Sequence, residues 1–402
     1  MSFFKIDGAR YISSFTPFPY HYAENWKLVL VVPENDFLGV IIQTQKDTFY
    51  MSMMFLFFGI LFAVVLSRSV TRPLQELSVH AAQMGNFDLT AMIDVESNIR
   101  EIQALSNAMS TMQGQLSQYK RYVPIELVNR LKESGKDISL DGESKHVSLM
   151  FTDIQGFSKI TMDLPAEVLI KHLSAYMTEM SQIIKQEKGL ATNYIGESVL
   201  AVFGGVISLE NHAVQACLTA LKCQEKIGHL NKQWIQEGKT PMLTQIGVHT
   251  GDAVIGNMGS VDQYLFTVLG ENVHFASQVE RSNRHYRTAL LISEQTHALV
   301  KESFICRPID YLESKIQRKP VLIYELLCHF QDPRAESYQK FSELFLRGFD
   351  LFLERKWRQA EKQFEYAKEW EEKDHVTELF VRKCRAFQEN DPGESWKPIN
   401  LI

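Results

Sequence analysis

His146-Val-Ser-Leu-Met-Phe-Thr-Asp-Ile154, followed by Gln155-Gly156-Phe157, is the stretch from which the fold is read. It is an apolar run of strand composition that ends on an acid, Asp153. Further on, Thr192-Asn-Tyr-Ile-Gly-Glu197 leads into a second apolar run, Ser198-Val-Leu-Ala-Val-Phe203. Continuous apolar runs of this length, bounded by turn residues, predict buried strands. Asp153 then lies near the C-terminal end of one strand, and Glu197 at a strand-to-strand turn beside Gly196. Carboxylates held at strand ends by a rigid sheet suit Mg²⁺, which takes hard oxygen ligands and usually one or two carboxylates from a protein. Spacing alone leaves a plainer alternative open, that both acids only terminate strands.

Around this stretch the chain alternates strands and helices. Val168, Leu169, His172, Leu173, Tyr176, Met180, Ile183 and Ile184 recur close to a 3.6 period and predict a helix over Pro165–Gln186. A second is predicted over Asn211–Trp234. Strands are predicted at Leu190–Ile195, Val199–Phe203, Leu243–His249 and Ala253–Gly256. The pattern predicts an α+β sandwich with helices on one face.

Towards the N-terminus, Phe49 to Leu66 is a run of 18 residues without a charge, just long enough to cross a bilayer as a helix. Arg68 and Arg72 follow, whereas Lys46 and Asp47 cancel on the other side, which favours a cytoplasmic C-terminal side. In 68–120, Leu74, Leu77, Ala81 and Met84 are spaced three, four, three; Gly85-Asn86-Phe87-Asp88 breaks the pattern. Ile102, Leu105, Met109, Met112, Leu116, Tyr119 and Val123 then keep a heptad-like spacing. In 1–47, Trp26–Val32 reads as a strand and Pro33–Asp36 as a turn. From Asp332 onward the chain is helical and charged. Phe345–Phe352 has an apolar face, Trp357, Ala360, Phe364 and Ala367 form a stripe, and a last helix covers Val376–Phe387.

Composition bounds the function. The chain has 402 residues and a net charge of −6, so no basic field draws it to nucleic acid. Its five cysteines have no CxxC spacing, which points to free thiols in a reduced compartment.

Several blocks, in order over about residues 144–328, resemble class III purine nucleotide cyclases. They are Phe151-Thr-Asp-Ile-Gln-Gly-Phe157, Tyr194-Ile-Gly-Glu197, Gly247-Val-His-Thr-Gly251 through Gly256-Asn-Met-Gly259, and Tyr264-Leu-Phe-Thr-Val-Leu-Gly-Glu-Asn-Val-His-Phe-Ala-Ser277. The resemblance implies a ferredoxin-like α+β domain at 144–328. It also implies attack of a ribose 3′-hydroxyl on the α-phosphorus with loss of pyrophosphate, two Mg²⁺ ions, and a site between the subunits of a homodimer. Asp153 matches the first metal carboxylate, and Ile154 lends its carbonyl to a metal. Glu197 stands where the family has Asp; its extra methylene makes Mn²⁺ an alternative. Lys315 matches the triphosphate lysine. Asn193 and Thr267 hold the base-reading positions, with Thr267 tilting the choice to ATP over GTP. His274 and Gln278 replace an Asn and an Arg that stabilise the transition state, and Arg281 or a protonated His274 is expected to supply part of the lost charge.

The helices of 68–120 resemble a HAMP relay, and Tyr122–Val128 a transducer segment within a linker over 121–143. Residues 1–47 resemble the membrane-proximal end of a Cache-type sensor, implying more sensor and another membrane helix upstream. The 332–402 tail resembles a tetratricopeptide-type helix pair, docked on the cyclase unit or on a protein partner; a plain helical cap is the alternative. The expected whole is one span at 48–67 in the inner membrane with the cyclase in the cytoplasm. The competing readings are a degenerate cyclase domain that switches without turnover, a guanylate cyclase, and a structural dimerisation module.

Overall fold

The computed structural model describes residues 2–17, 26–120, 141–260, 264–314, 319–393, 396 and 399–400. The chain divides into two compact units, Met1–Pro124 and Ile125–Ile402.

In the first unit, β1 (Ser2–Ile6), β2 (Ala9–Pro17) and β3 (Lys27–Pro33) form an antiparallel sheet in that order. Helix α1 (Glu34–Leu66) starts directly behind Pro33. The expected turn at Pro33–Asp36 is therefore the first helical turn, where Glu34 and Asp36 complement the positive end of the helix dipole. A π-helical stretch, Ser67–Thr71, joins α1 to α2 (Arg72–Gly85). The helix is long and apolar enough to cross a membrane, and Phe49–Leu66 is exposed along its whole length. After the break at Gly85, α3 (Arg100–Tyr119) returns. Leu77, Met84, Ile102 and Met109 share a small core with Ile93 and Val95 of the connector. The Gln113 amide donates to the carbonyls of Leu89 (3.2 Å) and Ala91 (2.6 Å), which ties the connector to α3. Leu105 and Met112 of the heptad pattern stay outside, 45% and 48% exposed.

Among the described residues, the second unit is built on a nine-stranded mixed sheet. Its strands are β4 (Asp141–Ile154), β5 (Leu190–Ile195), β6 (Ser198–Phe203), β7 (Thr244–Gly259), β8 (Tyr264–Leu269), β9 (Leu290–Ser293), β10 (Phe304–Ser314), β11 (Lys319–His329) and β12 (Ile399–Asn400). Their order is β12-β10-β11-β9-β7-β4-β6-β5, with β8 also paired to β7; β7–β9 and β10–β12 are the parallel pairs. Two strands expected separately, Leu243–His249 and Ala253–Gly256, are one strand, β7, because Gly251 and Asp252 stay in register with Val147 and His146 of β4. β4 begins at Asp141, inside the expected linker; the transducer segment lies outside the described residues.

Helices cover both faces of this sheet, not one. On one side α4 (Phe157–Asp163), α5 (Ala166–Gln186), α6 (His212–Gln236) and α8 (Glu294–Val300) pack around Met150, Ile154, Ala201, Ile246 and Val248. On the other, α7 (Glu271–Tyr286) sets Ala276 against Val147, Leu149, Ala253 and Ile255. Side chains alternate along β4 and β7, so a strand with both parities apolar needs cover on both sides. The rest of that second face is closed by the C-terminal helices α9 (Ala335–Leu353), α10 (Trp357–Lys368) and α11 (His375–Glu389). Phe345, Phe349, Phe352, Trp357, Ala360, Phe364 and Phe380 are buried there with Ile309, Leu312, Val321 and Ile323 of the sheet. The apolar stripes read in the tail are thus spent on its own helices and on the sheet.

Candidate active site

Asp153 sits one residue from the end of β4, with the parity of Val147 and Leu149, and so faces α7. Its Oδ1 accepts a hydrogen bond from Ser198 Oγ at 2.9 Å, and Arg284 Nη2 comes to 4.0 Å of Oδ2. Ile154, one residue on, is buried, 1% exposed, with its side chain in the opposite core. Glu197 occupies the two-residue turn between β5 and β6 next to Gly196, which adopts φ 62°. Glycine is suited to that left-handed conformation.

Glu280 of α7, 6% exposed, feels the charges of Asp153, Glu197, Arg281 and Arg284. Burial first, then the charge of Asp153 and more weakly that of Glu197, push its pKa up to about 7, against the pull of Arg281 and Arg284. The helix can approach this closely because Gly247 lies beneath it: a Cβ there would stand 2.4 Å from the Glu280 backbone nitrogen. Among the described residues no group of three His, Cys, Asp or Glu closes on one metal position. Carboxylates such as those of Asp153 and Glu197 are hard oxygen donors, the type that suits Mg²⁺ or Mn²⁺ rather than zinc.

Asn193 on β5 and Thr267 on β8 are brought together, with Thr267 Oγ1 donating to Asn193 Oδ1 at 2.7 Å. Among the described residues no hydrogen bond or ion pair links this pair to the acids. His274, Gln278 and Arg281 all lie on α7; His274 and Arg281 are exposed. The Gln278 amide donates to the Glu313 carbonyl at 3.3 Å. Lys315 lies outside the described residues. Ser198, Glu280 and Arg284 were not read from the sequence. The signal available for the last two was their spacing of four on a helix, which places them on one face.

Asp153 thus stands at a strand end, Glu197 on the adjacent hairpin turn, and α7 lies across from Asp153. Residues 141–327 match the adenylate and guanylate cyclase catalytic domain family, and residues 65–118 the HAMP domain family. The chain therefore carries a HAMP domain followed by a class III nucleotide cyclase catalytic domain. Adenylate cyclase 1 of Rhizobium meliloti (strain 1021) is 29% identical over 301 residues, covering 75% of this chain and 45% of that protein. An adenylate cyclase of Anabaena cylindrica is 25% identical over 288 residues, covering 67% of this chain and 56% of that protein. Among solved structures, a bacterial light-regulated adenylyl cyclase shares the fold at a TM-score of 0.51 and 20% identity, over 57% of this chain and 66% of that one.

Proposed function

We propose that this chain is a membrane-anchored adenylate cyclase that converts ATP to cyclic AMP and pyrophosphate in response to a signal relayed through its HAMP domain. The observation that carries the choice of base is the Thr267–Asn193 hydrogen bond. With Asn193 Oδ1 engaged, the pair offers an amide N–H from Asn193 beside the lone pairs of Thr267 Oγ1. Adenine presents the complement, an accepting N1 beside a donating 6-amino group; guanine, in the same orientation, reverses the two roles. Thr267→Val releases the Asn193 amide to turn over. The preference for ATP over GTP in kcat/KM is then expected to fall about tenfold, the worth of one hydrogen bond. An unchanged preference would remove the pair from base reading.

In the reaction the 3′-oxygen of ribose bonds to the α-phosphorus as the bond from that phosphorus to the bridging oxygen of pyrophosphate breaks, and the hydroxyl proton is released. Asp153, the Ile154 carbonyl and Glu197 would hold two divalent cations. Bound there, such ions offset charge on the attacking oxygen and the leaving pyrophosphate. Lys315 would contact the triphosphate. At the position of Gln278 this chain lacks a fixed cation, and we assign its task in part to Arg281 or His274 on the same helix, with Arg284 beside Asp153. His274→Ala and Arg281→Ala are expected to lower kcat, the more important of the two by about tenfold or more. Unchanged turnover in both variants rejects the assignment.

Two copies complete the site, the acids of one meeting the Asn193–Thr267 pair of the other. The exposed Leu105 and Met112 on α3 support this reading, because heptad positions left open in one copy are what a parallel partner covers. The apolar α1 would be the anchor, with the cyclase unit in the cytoplasm. A second reading, a cyclase-type domain that binds nucleotide without turnover, is favoured by the tie between Gln278 and Glu313, which engages that amide within the protein. Purified protein incubated with ATP or GTP and Mg²⁺ or Mn²⁺ decides between them. Cyclic AMP supports the first reading; a nucleotide-dependent thermal shift without product supports the second.

A further inference from the structure

One continuous chain of hydrogen bonds passes from one face of the cyclase sheet to the other. It starts at His212 Nδ1, the first residue of α6, 2.9 Å from Ser148 Oγ. It runs on to Thr250 Oγ1 (2.7 Å), Thr296 Oγ1 (3.0 Å), Ser293 Oγ (3.2 Å) and His249 Nδ1 (2.8 Å). His249 Nε2 reaches Asn272 Oδ1 at 2.9 Å, and the Asn272 amide donates to the Asp252 carbonyl at 2.8 Å. Ser148, Thr250, Thr296, Ser293 and His249 are each at most 1% exposed. The last bond fixes the direction at His249. Asn272 Oδ1 must accept, so His249 carries its proton on Nε2 and accepts from Ser293 at Nδ1. Burial keeps this imidazole neutral, with its pKa pulled down to about 4.

Fold stability does not require such a chain. Apolar residues of similar shape in place of a satisfied buried pair are close to neutral, whereas one missing member leaves its neighbours unsatisfied. Its far end is where the consequence lies. Asn272 is in the first turn of α7, whose N-cap, Gly270, has no side chain to cap it. Asn272 lies flat on β7, since a Cβ on Gly251 would stand 2.8 Å from its amide carbon. His274 follows two residues later and Gln278 one turn beyond.

We propose that His249 is a positioning residue for the cyclisation: by holding Asn272 it sets the rotation of α7 about its axis, and so where His274, Gln278 and Arg281 stand relative to the phosphates. The inference rests on the cyclase reading of the site. It is tested on the 402-residue chain with His249→Ala, His249→Gln, Asn272→Ala and the His249→Ala/Asn272→Ala double variant, by steady-state kinetics with ATP and by thermal melting. A small displacement of groups around a reacting centre costs up to about a hundredfold in rate. His249→Ala is therefore expected to lower kcat about 10- to 100-fold, with KM for ATP within about twofold of wild type. The Gln side chain donates from its Nε2 amide to Asn272 and is expected to restore most of kcat. Asn272→Ala should reproduce the loss, and the double variant should add little to it. The inference is overturned if kcat in His249→Ala is unchanged, if the loss falls in KM alone, or if it is neither rescued by Gln nor shared with Asn272. Cyclic AMP from wild type alongside any of those results overturns only the positioning role; no product from wild type overturns it together with the cyclase reading.

Discussion

Asp153→Asn is expected to lower cyclic AMP formation by about a thousandfold. The substitution keeps the volume of the side chain and its ability to accept from Ser198, and removes one charge. If Asp153 holds a cation that offsets transition-state charge, losing that hold removes several kcal/mol of stabilisation. Each 1.36 kcal/mol is about tenfold in rate, so about 4 kcal/mol gives the expected factor. Folding is not expected to suffer, because the like charge that raises the pKa of Glu280 is relieved. The measurement is turnover at saturating Mg²⁺ or Mn²⁺ beside a melting curve. A stable variant that keeps more than about a tenth of wild-type kcat would rule out the two-cation chemistry proposed for this site.

Arg307→Met is expected to be the most destabilising of the substitutions considered. The guanidinium is 1% exposed. It donates to Glu325 on β11 through Nε at 2.8 Å, and to Asp374, the N-cap of α11, at 2.7 and 2.6 Å. It also lies over the rings of Phe341 and Phe345 at 4.8 and 4.7 Å. Removing one partner leaves two buried carboxylates facing each other, at a cost of about 3–5 kcal/mol. For a unit of this size that lowers the melting temperature by on the order of 10 °C. Replacing Arg307, Glu325 and Asp374 together with apolar residues is expected to recover most of the loss; an unshifted Tm in the single variant would show that the cluster does not hold the tail. Burial works against the charge on Asp374, yet Arg307 and Thr377 hold its pKa below the ordinary 3.8. The stability it contributes is therefore fully present above that value and is lost as pH falls through the lowered one.

Much of the catalytic unit was legible because periodicity reports burial. The strand Leu190–Ile195 was read to the residue, and the helices predicted over Pro165–Gln186 and Asn211–Trp234 are α5 and α6 within two residues at each end. Helices on both faces were not legible, because a run such as Val147 to Phe151 is apolar at every position but Ser148 and does not say what covers each side. The connector of the HAMP unit also escaped, since Ile93 and Val95 have no helical period and enter the core only when α2 and α3 meet around them. Of the candidate site, Asp153 and Glu197 were visible as acids ending apolar runs, and Asn193 and Thr267 by resemblance to the family. Glu280 and Arg284 were not, because an ordinary amphipathic helix shows the same charges.

By itself the sequence determined where most strands and helices of the catalytic unit lie, that one helix is long and apolar enough to cross a membrane, and which acids stand at strand ends. Those properties are local: they follow from side-chain period, from turn chemistry and from hydropathy over a few turns. The tertiary structure decided that a glycine at 247 lets α7 press Glu280 towards Asp153, that Thr267 fixes the amide of Asn193, and that Arg307 joins the C-terminal helices to the sheet. Each of these depends on residues tens of positions apart reaching a few ångströms of one another. No periodicity within one segment carries that information, because the close approach exists only once the strands have paired and the helices have packed on them.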